Sequence, residues 1–259
     1  QWDAMYDELT NLEKETGTVL PDSPTHRVGG EPLKGFEQHR HITRLWSMDK
    51  VQTMDALQDW IRRTEKLAGR GDLPYFVEYK FDGLTLNLTY REGQLVQAAT
   101  RGNGEVGEAI LPQAKTVRAV PLTIPYQGLL EVQGECIMRL SVLEQYNKTA
   151  KEPLKNARNA AAGALRNLDP AVTAARRLDA FFYQVGTIEN PPYHTQPGML
   201  EFLRKNGFPV SPYLGEPKNA EELVACIRHI EEIRNTLDFL IDGVVIKVGD
   251  FALRERMGF

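Results

Sequence analysis

Residues 75–101 have the sequence YFVEYKFDGLTLNLTYREGQLVQAATR, and this stretch decides the fold class. It contains three short runs of the kind found in strands, YFVEYKF, LTLNLTY and QLVQAATR, and REGQ (91–94) joins the last two as a hairpin. Further β-type runs follow at 128–138, 178–186 and 243–249, separated by helical segments. In this order of elements, hairpins come first, helices are inserted later, and strands then return. This order predicts an α+β fold with a largely antiparallel sheet.

Helical patterns surround these strands. WDAMYDELTNLEKE (2–15) is amphipathic, residues 51–67 repeat the pattern, and NARNAAAGALRNL (156–168) is rich in alanine. Ser141 with Glu144 predicts a capping box, and Asn219 with Glu222 predicts the start of a helix that continues through Thr236. The Pro- and Gly-rich segment PDSPTHRVGGEPLKG (21–35) is the first boundary. We therefore expect a helical subdomain with its linker at 1–45 and a core domain at 46–259.

Composition limits the class of protein. A net charge of −4 argues against bulk electrostatic attachment to nucleic acid, and no apolar run approaches the roughly 20 residues of a membrane span. Without a signal segment, the expected location is the cytoplasm.

Cys136 and Cys226 lack metal-ligand spacing, so we expect reduced thiols and no zinc. The chain begins with Gln1 inside a helical pattern, which suggests a fragment.

One segment is basic despite the net negative charge. Between residues 151 and 177 there are six basic residues and two acidic ones, a local charge of +4. On charge alone, a solvated surface is the simpler interpretation. A nucleic-acid contact is the alternative.

RGNGEVG (101–107) carries the G-x-G-x-x-G spacing of dinucleotide-binding folds. That fingerprint needs a following helix long enough to bind pyrophosphate at its N-terminus, and an acidic residue about 20 positions later. Pro112 leaves little more than one turn, and the later position falls in IPYQG, which has no acid. The match therefore fails its context, and a hydride-transferring dehydrogenase is not expected.

EYKFDG (78–83) is more informative. Side chains alternate along a strand, so Glu78, Lys80 and Asp82 share one face, and Gly83 suggests a tight turn that places them at the strand end. A surface ion-pair ladder is the plain interpretation. A nucleophilic lysine is the other, and it needs burial, a second cation such as Lys247, or a bound metal, because flanking carboxylates favour the unreactive ammonium form.

The ordered set EYKFDG, RGNG, VQGE, NARNAAAGALRNLDP and IDGVVIKV resembles the adenylation domain of bacterial NAD-dependent DNA ligases. DAMYD (3–7), PDSPTHRVGG and SMDK (47–50) extend the resemblance over the whole chain. The resemblance implies an ATP-grasp-like nucleotidyltransferase core of mostly antiparallel sheets with packed helices, preceded by part of a small helical subdomain. It also implies a cytoplasmic, monomeric enzyme of DNA replication and repair, with no membrane partner.

The implied chemistry is attack of Lys80 on the α-phosphate of NAD, with release of nicotinamide mononucleotide and formation of lysyl-AMP. The adenylate then passes to the 5′-phosphate of nicked double-stranded DNA, and the 3′-hydroxyl seals the nick. Lys80, Asp82 and Lys247 are the implied catalytic residues. The implied Mg²⁺ site, reached through waters, comprises Asp82, Glu135 and Asp242. The implied NAD-binding residues are Asp3, Tyr6, Asp7, Ser47, Met48, Glu78, Arg101, Glu135, Tyr183 and Lys247.

The resemblance also assigns DNA contacts to Arg158, Arg166 and Arg234, which turns the basic segment into a candidate DNA face. Plainer interpretations stay open for some residues. Tyr183 can belong to the core, and Arg234 can pair with Glu231 three residues earlier. The residues Asp3, Tyr6 and Asp7 can be one polar helix face.

Three positions depart from the family pattern: Asn103 replaces an aspartate, Gln133 an arginine and Ala157 a proline. The chain also lacks the H-x-x-Y segment before DAMYD and stops before a K-F-P motif. OB, zinc and helix-hairpin-helix regions are absent, so we expect no nick sealing by this chain alone. The alternatives are an ATP-dependent nucleotidyltransferase of the ligase and capping superfamily, which DAMYD disfavours, and a catalytically weakened DNA-binding paralogue.

Overall fold

A computed structural model describes residues 2–27, 35–46, 48 and 50–258. Ser47 lies outside the described residues, as does the side chain of Asp3. The helices are α1 (Trp2–Thr16), α2 (Met54–Ala68), α3 (Leu111–Lys115), α4 (Leu140–Asn147), α5 (Ala157–Leu165), α6 (Pro170–Ala175), α7 (Gln196–Lys205), α8 (Ala220–Ile233) and α9 (Phe251–Arg256), with 3₁₀ turns at Pro24–Arg27 and Arg234–Thr236. The strands are β1 (Gln38–Arg40), β2 (Tyr75–Phe81), β3 (Leu84–Arg91), β4 (Gln94–Thr100), β5 (Val106–Glu108), β6 (Leu130–Ile137), β7 (Asp179–Ile188), β8 (Leu214–Gly215) and β9 (Ile241–Val248).

These strands form three sheets, with orders β4-β3-β6-β7, β8-β2-β9 and β1-β5, and every pairing between them is antiparallel. The α+β prediction is therefore confirmed. After the glycines of RGNGEVG the chain forms β5 and then α3, which has only five residues. A helix this short confirms that the segment is not a dinucleotide-binding fingerprint.

The four-stranded sheet has one apolar face and one polar face. Along β3 the residues Leu86, Leu88 and Tyr90 enter the main core, and on β6 Leu130, Val132 and Cys136 do the same. Side chains alternate, so the intervening positions point to the opposite face, and these are polar: Thr85, Asn87, Thr89, Glu131, Gln133 and Glu135. Several of them are nevertheless buried, which marks this face as something other than a solvated surface.

The three-stranded sheet packs its two faces on different partners. Tyr75, Val77 and Tyr79 of β2 join a second core beneath α2 and α8. Phe76 belongs instead to the main core, and Glu78 and Lys80 point in its direction because they share its face. Phe81 stacks on Phe181 of β7, with ring centroids 4.5 Å apart, so this contact joins the two sheets.

The N-terminal segment is fixed to the core at two places. The Arg27 guanidinium donates to the carbonyl oxygens of Val117 at 2.7 Å and Val120 at 2.8 Å, which follow α3. Farther along, β1 pairs with β5. Helix α1 is tied to the 3₁₀ turn by Thr25 Oγ1, which donates to Glu13 Oε2 at 2.9 Å.

The capping box predicted at Ser141 is wrong. Helix α4 begins one residue earlier, at Leu140, and Arg139 at its N-cap position provides no side-chain bond. Asp238 accepts from the Ser141 amide at 2.8 Å and from its hydroxyl at 2.6 Å, so a distant carboxylate satisfies the helix end. The Asn219 cap is confirmed, although α8 ends at Ile233 and a 3₁₀ turn continues to Thr236. In the described part of the chain, none of the helices has the length and apolar character to cross a bilayer.

Candidate active site

A cavity of about 860 Å³ lies between the polar face of the four-stranded sheet and the neighbouring face of the three-stranded sheet. Residues 43–46, 48 and 50 form another part of its wall. Eleven of the predicted site residues line it: Met48, Glu78, Lys80, Asp82, Arg101, Glu135, Arg158, Arg166, Tyr183, Asp242 and Lys247. Two sheets, two loops and helix α5 with its C-cap therefore bring together residues that are up to 199 positions apart (Met48 to Lys247).

Lys80 lies on β2, next to the end of the strand, with about one third of its side chain exposed. Its Nζ is 3.5 Å from Asp242 Oδ2, at the start of β9. Asp82, just beyond β2, is engaged by Arg158 Nε at 3.3 Å. The predicted flanking carboxylates are therefore present, but Lys80 pairs across the sheet and Asp82 pairs with helix α5. Each ion pair leaves its partners accessible to a ligand.

A buried ion pair forms the inner wall of the cavity. Lys247 Nζ donates to Glu78 Oε1 at 3.2 Å, and the ammonium lies 5.7 Å from the centroid of the Tyr183 ring. The Glu78 side chain is only 3% exposed. Its second oxygen, Oε2, is buried and has no hydrogen-bond partner among the described residues, so it is available to accept from a ligand. Tyr183 is thus a wall of the cavity.

Burial raises the pKa of Glu135 to about 8, and the nearby Asp82 carboxylate acts in the same direction. Thr85 Oγ1, directly opposite on β3, donates to Glu135 Oε2 at 3.4 Å and partly offsets the burial. Burial also raises the pKa of Tyr183. This end of the cavity therefore favours a neutral carboxyl until a cation approaches.

The RGNG turn explains the first departure from the family pattern. Asn103 Oδ1 accepts from the Glu105 amide at 2.9 Å and from the Val106 amide at 2.8 Å. An amide oxygen does this as well as a carboxylate oxygen, so Asn103 shapes the turn without a charge. Gly102 and Gly104 have φ values of 59° and 93°, which favour glycine.

The other two departures lie at defined places in the fold, and the structure does not explain the one at Gln133. Gln133 lies on the polar face of β6, between Glu131 and Glu135, and lines the cavity. Ala157 is the first residue of α5, after the Asn156 side chain that caps the helix. Proline is favoured at that position because its missing N–H is not needed there, but alanine continues the helix equally well.

The basic residues separate into two groups. Arg166 of the α5 C-cap makes a two-bond contact with Glu108, at 2.7 and 3.2 Å, stays about half exposed, and lines the cavity as Arg158 does. Arg234 lies elsewhere and donates to the Ile241 carbonyl oxygen at 2.8 Å. Tyr6 and Asp7 on α1 are not among the residues that line the cavity. Their predicted NAD contacts, and the DNA contact of Arg234, stay predictions.

Sequence reasoning missed several residues of the cavity wall. Trp46 is 74% exposed, and the Arg44 guanidinium lies 4.3 Å from its ring centroid. Lys50 also lines the cavity. Behind this segment, Glu131, Asn87 and His41 form a buried polar group. Apolar and polar residues alternate in LTLNLTY and LEVQGEC, and this alternation is the sequence signal that indicates such a polar face.

The carboxylates do not form a ready metal cage. Among the described residues there is no group of three or more His, Cys, Asp or Glu side chains placed to hold an ion. Asp82, Glu135 and Asp242 are each engaged separately, by Arg158, Thr85 and Lys80. This donor set fits Mg²⁺ in the way that ion often binds, through one or two carboxylates, water and substrate phosphate.

Comparison with known proteins gives consistent results. The sequence pattern described as "NAD-dependent DNA ligase adenylation domain" matches residues 33–259. The DNA ligases of Alkaliphilus metalliredigens and Alkaliphilus oremlandii are each 55% identical over all of this chain, which covers 39% and 40% of their lengths. The DNA ligase of Finegoldia magna is 51% identical, again over 40% of its length. An RNA ligase structure from Naegleria gruberi aligns with 85% of the chain at 15% identity and a TM-score of 0.38, a likeness too distant to bear on function.

Proposed function

The chain belongs to the family of NAD-dependent DNA ligase adenylation domains, and on that premise we propose that Lys80 is the nucleophile that becomes adenylated. The lone pair of deprotonated Nζ forms a bond to the α-phosphorus of NAD. The bond from that phosphorus to the bridging oxygen breaks, and its electrons leave with nicotinamide mononucleotide. The amine proton passes to solvent. The products are lysyl-AMP and nicotinamide mononucleotide.

The observation that carries this proposal is the position of Lys80 at the open side of a cavity whose inner wall is the Glu78–Lys247 pair. A purine fits beside Tyr183, and its exocyclic amine can donate to the unpartnered Oε2 of Glu78. Lys247, fixed by Glu78, supplies positive charge. Phosphoryl transfer depends mainly on such positioning and charge neutralisation, which supports this assignment.

Asp82, Glu135 and Asp242 would hold a hydrated Mg²⁺ beside Lys80. Such an ion would neutralise phosphate charge and favour the unprotonated lysine amine. Two ion pairs of the chain itself place charged side chains for this reaction. Asp242 keeps the lysine at the cavity, and Arg158 keeps Asp82 from repelling an incoming phosphate.

The substrate of the whole protein is proposed to be nicked double-stranded DNA. The chain spans about two fifths of the length of the curated relatives, so this proposal concerns a larger protein. Arg158 and Arg166 are exposed at the cavity rim, on α5 and its C-cap, where they can contact phosphates at the nick. Arg166 is paired with Glu108, so a DNA phosphate would have to replace the Glu108 carboxylate as its partner.

Adduct mapping tests the proposal. The full chain is incubated with adenine-labelled NAD or ATP, and the adenylated peptide is located by mass spectrometry. We expect one adduct from NAD, on Lys80, and none with Lys80→Ala. Lys66→Ala, on the exposed side of α2, is the matched control and should label like wild type. An adduct from ATP alone would indicate the alternative nucleotidyltransferase, and no adduct from either nucleotide would contradict both.

A further inference from the structure

Glu131 is a fully buried carboxylate that touches the segment leading into the cavity wall. It lies on the polar face of β6 and is 0% exposed. Its Oε2 accepts from the Ile42 amide at 2.9 Å, and its Oε1 accepts from the Thr43 amide at 3.1 Å. The hydrogen bonds found for this carboxylate come from uncharged donors, including backbone amides of a segment about 90 positions earlier in the chain.

The same carboxylate is linked to Arg101 through two further side chains. Asn87 Nδ2 donates to Glu131 Oε2 at 3.1 Å and lies 2.9 Å from His41 Nδ1. Because an amide nitrogen can only donate, Nδ1 must accept and the ring proton lies on Nε2. Nε2 then donates to the Arg101 carbonyl oxygen at 2.9 Å. The His41 amide also donates to the Glu105 carbonyl oxygen at 2.9 Å.

This network therefore joins two parts of the cavity wall. The segment held by Glu131 continues into Arg44, Leu45, Trp46 and Met48, which line the cavity, and Arg101 lines it from the RGNG turn. A buried carboxylate is costly unless donors surround it, so the bonds to residues 42 and 43 are strong constraints. Thr43 adds a second attachment, since its hydroxyl donates to the Gly186 carbonyl oxygen at 2.9 Å.

We infer that Glu131, acting through Asn87 and His41, is a positioning residue that sets the wall of the nucleotide cavity and the backbone of Arg101. The inference rests on the proposed function for its enzymatic consequence. Glu131 is not itself among the residues that line the cavity, and its described contacts reach Thr43 of the wall but not Lys80. Its effect therefore belongs to NAD binding rather than to the attack by Lys80.

Glu131→Gln is the direct test. Every neighbour described above is a donor, so the amide nitrogen of a glutamine would face N–H groups and at least one bond would be lost. We expect the NAD concentration that gives half the maximal rate of Lys80 adenylation to rise about tenfold, while the maximal rate stays within about threefold. Amide exchange at Ile42 and Thr43 should accelerate about tenfold, with Leu86 and Leu88 unchanged.

Glu201→Gln is the matched control. It removes the same charge from an exposed carboxylate of α7 that pairs with Arg204 and is not among the residues that line the cavity, and we expect no change in exchange at residues 42 and 43 and less than a twofold change in NAD dependence. If Glu131→Gln fails to fold, Thr43→Val tests the second attachment, with a rise of about threefold in half-saturation. The inference is overturned if the variant that folds keeps wild-type exchange and NAD dependence, or if Glu201→Gln matches Glu131→Gln. A wild-type chain that forms no adduct would contradict the proposed function, and the exchange measurement would still test the network.

Discussion

Among the carboxyl groups of the cavity, Glu135 has the pKa that is shifted most, to about 8. This shift leads to a prediction about how stability depends on pH. The folded chain keeps this proton up to about pH 8, whereas an ordinary glutamate loses it near pH 4.5. The folded state therefore binds the extra proton between these values, and this group's contribution to stability falls as pH rises from 4.5 to 8. Glu135→Gln mimics the neutral acid, so its free energy of unfolding should match wild type at pH 5.

At pH 8.5 the same variant should be more stable than wild type by on the order of 2 kcal/mol, because one pKa unit corresponds to about 1.4 kcal/mol and burial is incomplete. Urea unfolding at the two pH values measures this difference. Lys80 adenylation by NAD should fall at least tenfold in the variant. Equal stabilities at both pH values would show that the carboxyl is not held neutral.

At the scale of residues, the sequence predicts side chains that share a strand face but not bonds that cross the fold. Glu78 with Lys80 follows from the two-residue repeat of β2. By contrast, Glu131 accepts from amides 88 and 89 positions away, and no local pattern identifies that donor. Asn103 shows the converse, since its departure from the family pattern is explained by two bonds inside the turn.

Gly83 gives a prediction about an element, the turn from β2 to β3. A Cβ placed there would lie 2.0 Å from the Cys136 carbonyl oxygen on β6. That atom is backbone in a four-stranded sheet and has no room to move. Gly83→Ala should therefore lower the free energy of unfolding by at least about 2 kcal/mol and displace Asp82 from the cavity. Thermal or urea unfolding measures the first effect, and adduct formation on Lys80 the second.

Gly163→Ala is the control for the same change. Gly163 lies within α5, and a Cβ there meets nothing within 4 Å. Alanine is the better helix former, so this variant should gain about 0.5–1 kcal/mol. If both variants lost stability equally, the close contact with Cys136 would not be the cause.

The helices and strands differ in how far their own sequence determines their bounds. The longer helices and strands follow from periodicity, and the predicted bounds of β2 coincide with the structure. The start of α4 does not follow from its own sequence, because Asp238 reaches it from 97 positions away. The short strands β1, β5 and β8 have two or three residues each, so they exist through pairing and leave no pattern to detect.

At the scale of the molecule, the cavity lies between two sheets whose outer faces pack on different cores, and a ligand there should hold the two sheets together. Because AMP binds only the folded chain, it should raise the melting temperature, by roughly 5–10 °C at a hundred times its dissociation constant. GMP is the matched control, since it carries a carbonyl oxygen in place of the amine that we propose donates to Glu78. We expect at most about 2 °C with GMP. Equal shifts would contradict the role of Glu78 Oε2.

The class of fold and eleven of the residues that line the cavity could be predicted from the sequence, but the way the elements assemble could not. Strand order, the facing of two sheets and the Phe81–Phe181 contact depend on packing over long separations. The sequence assigns residues 41–45 to the helical subdomain with its linker. In the structure this segment lies against the four-stranded sheet, held by Glu131.

The alternating faces of β3 and β6 have a consequence for errors in folding. A slip of one residue in either strand would exchange its two faces, so leucines would replace Thr85 and Asn87 and valine would replace Gln133 or Glu131. Such a chain would have polar groups in its interior, charged ones if β6 slipped, and an apolar cleft that could not bind a nucleotide. The misassembled form would therefore be unstable and unable to bind a nucleotide. Any molecule that binds a nucleotide has β3 and β6 in the correct register.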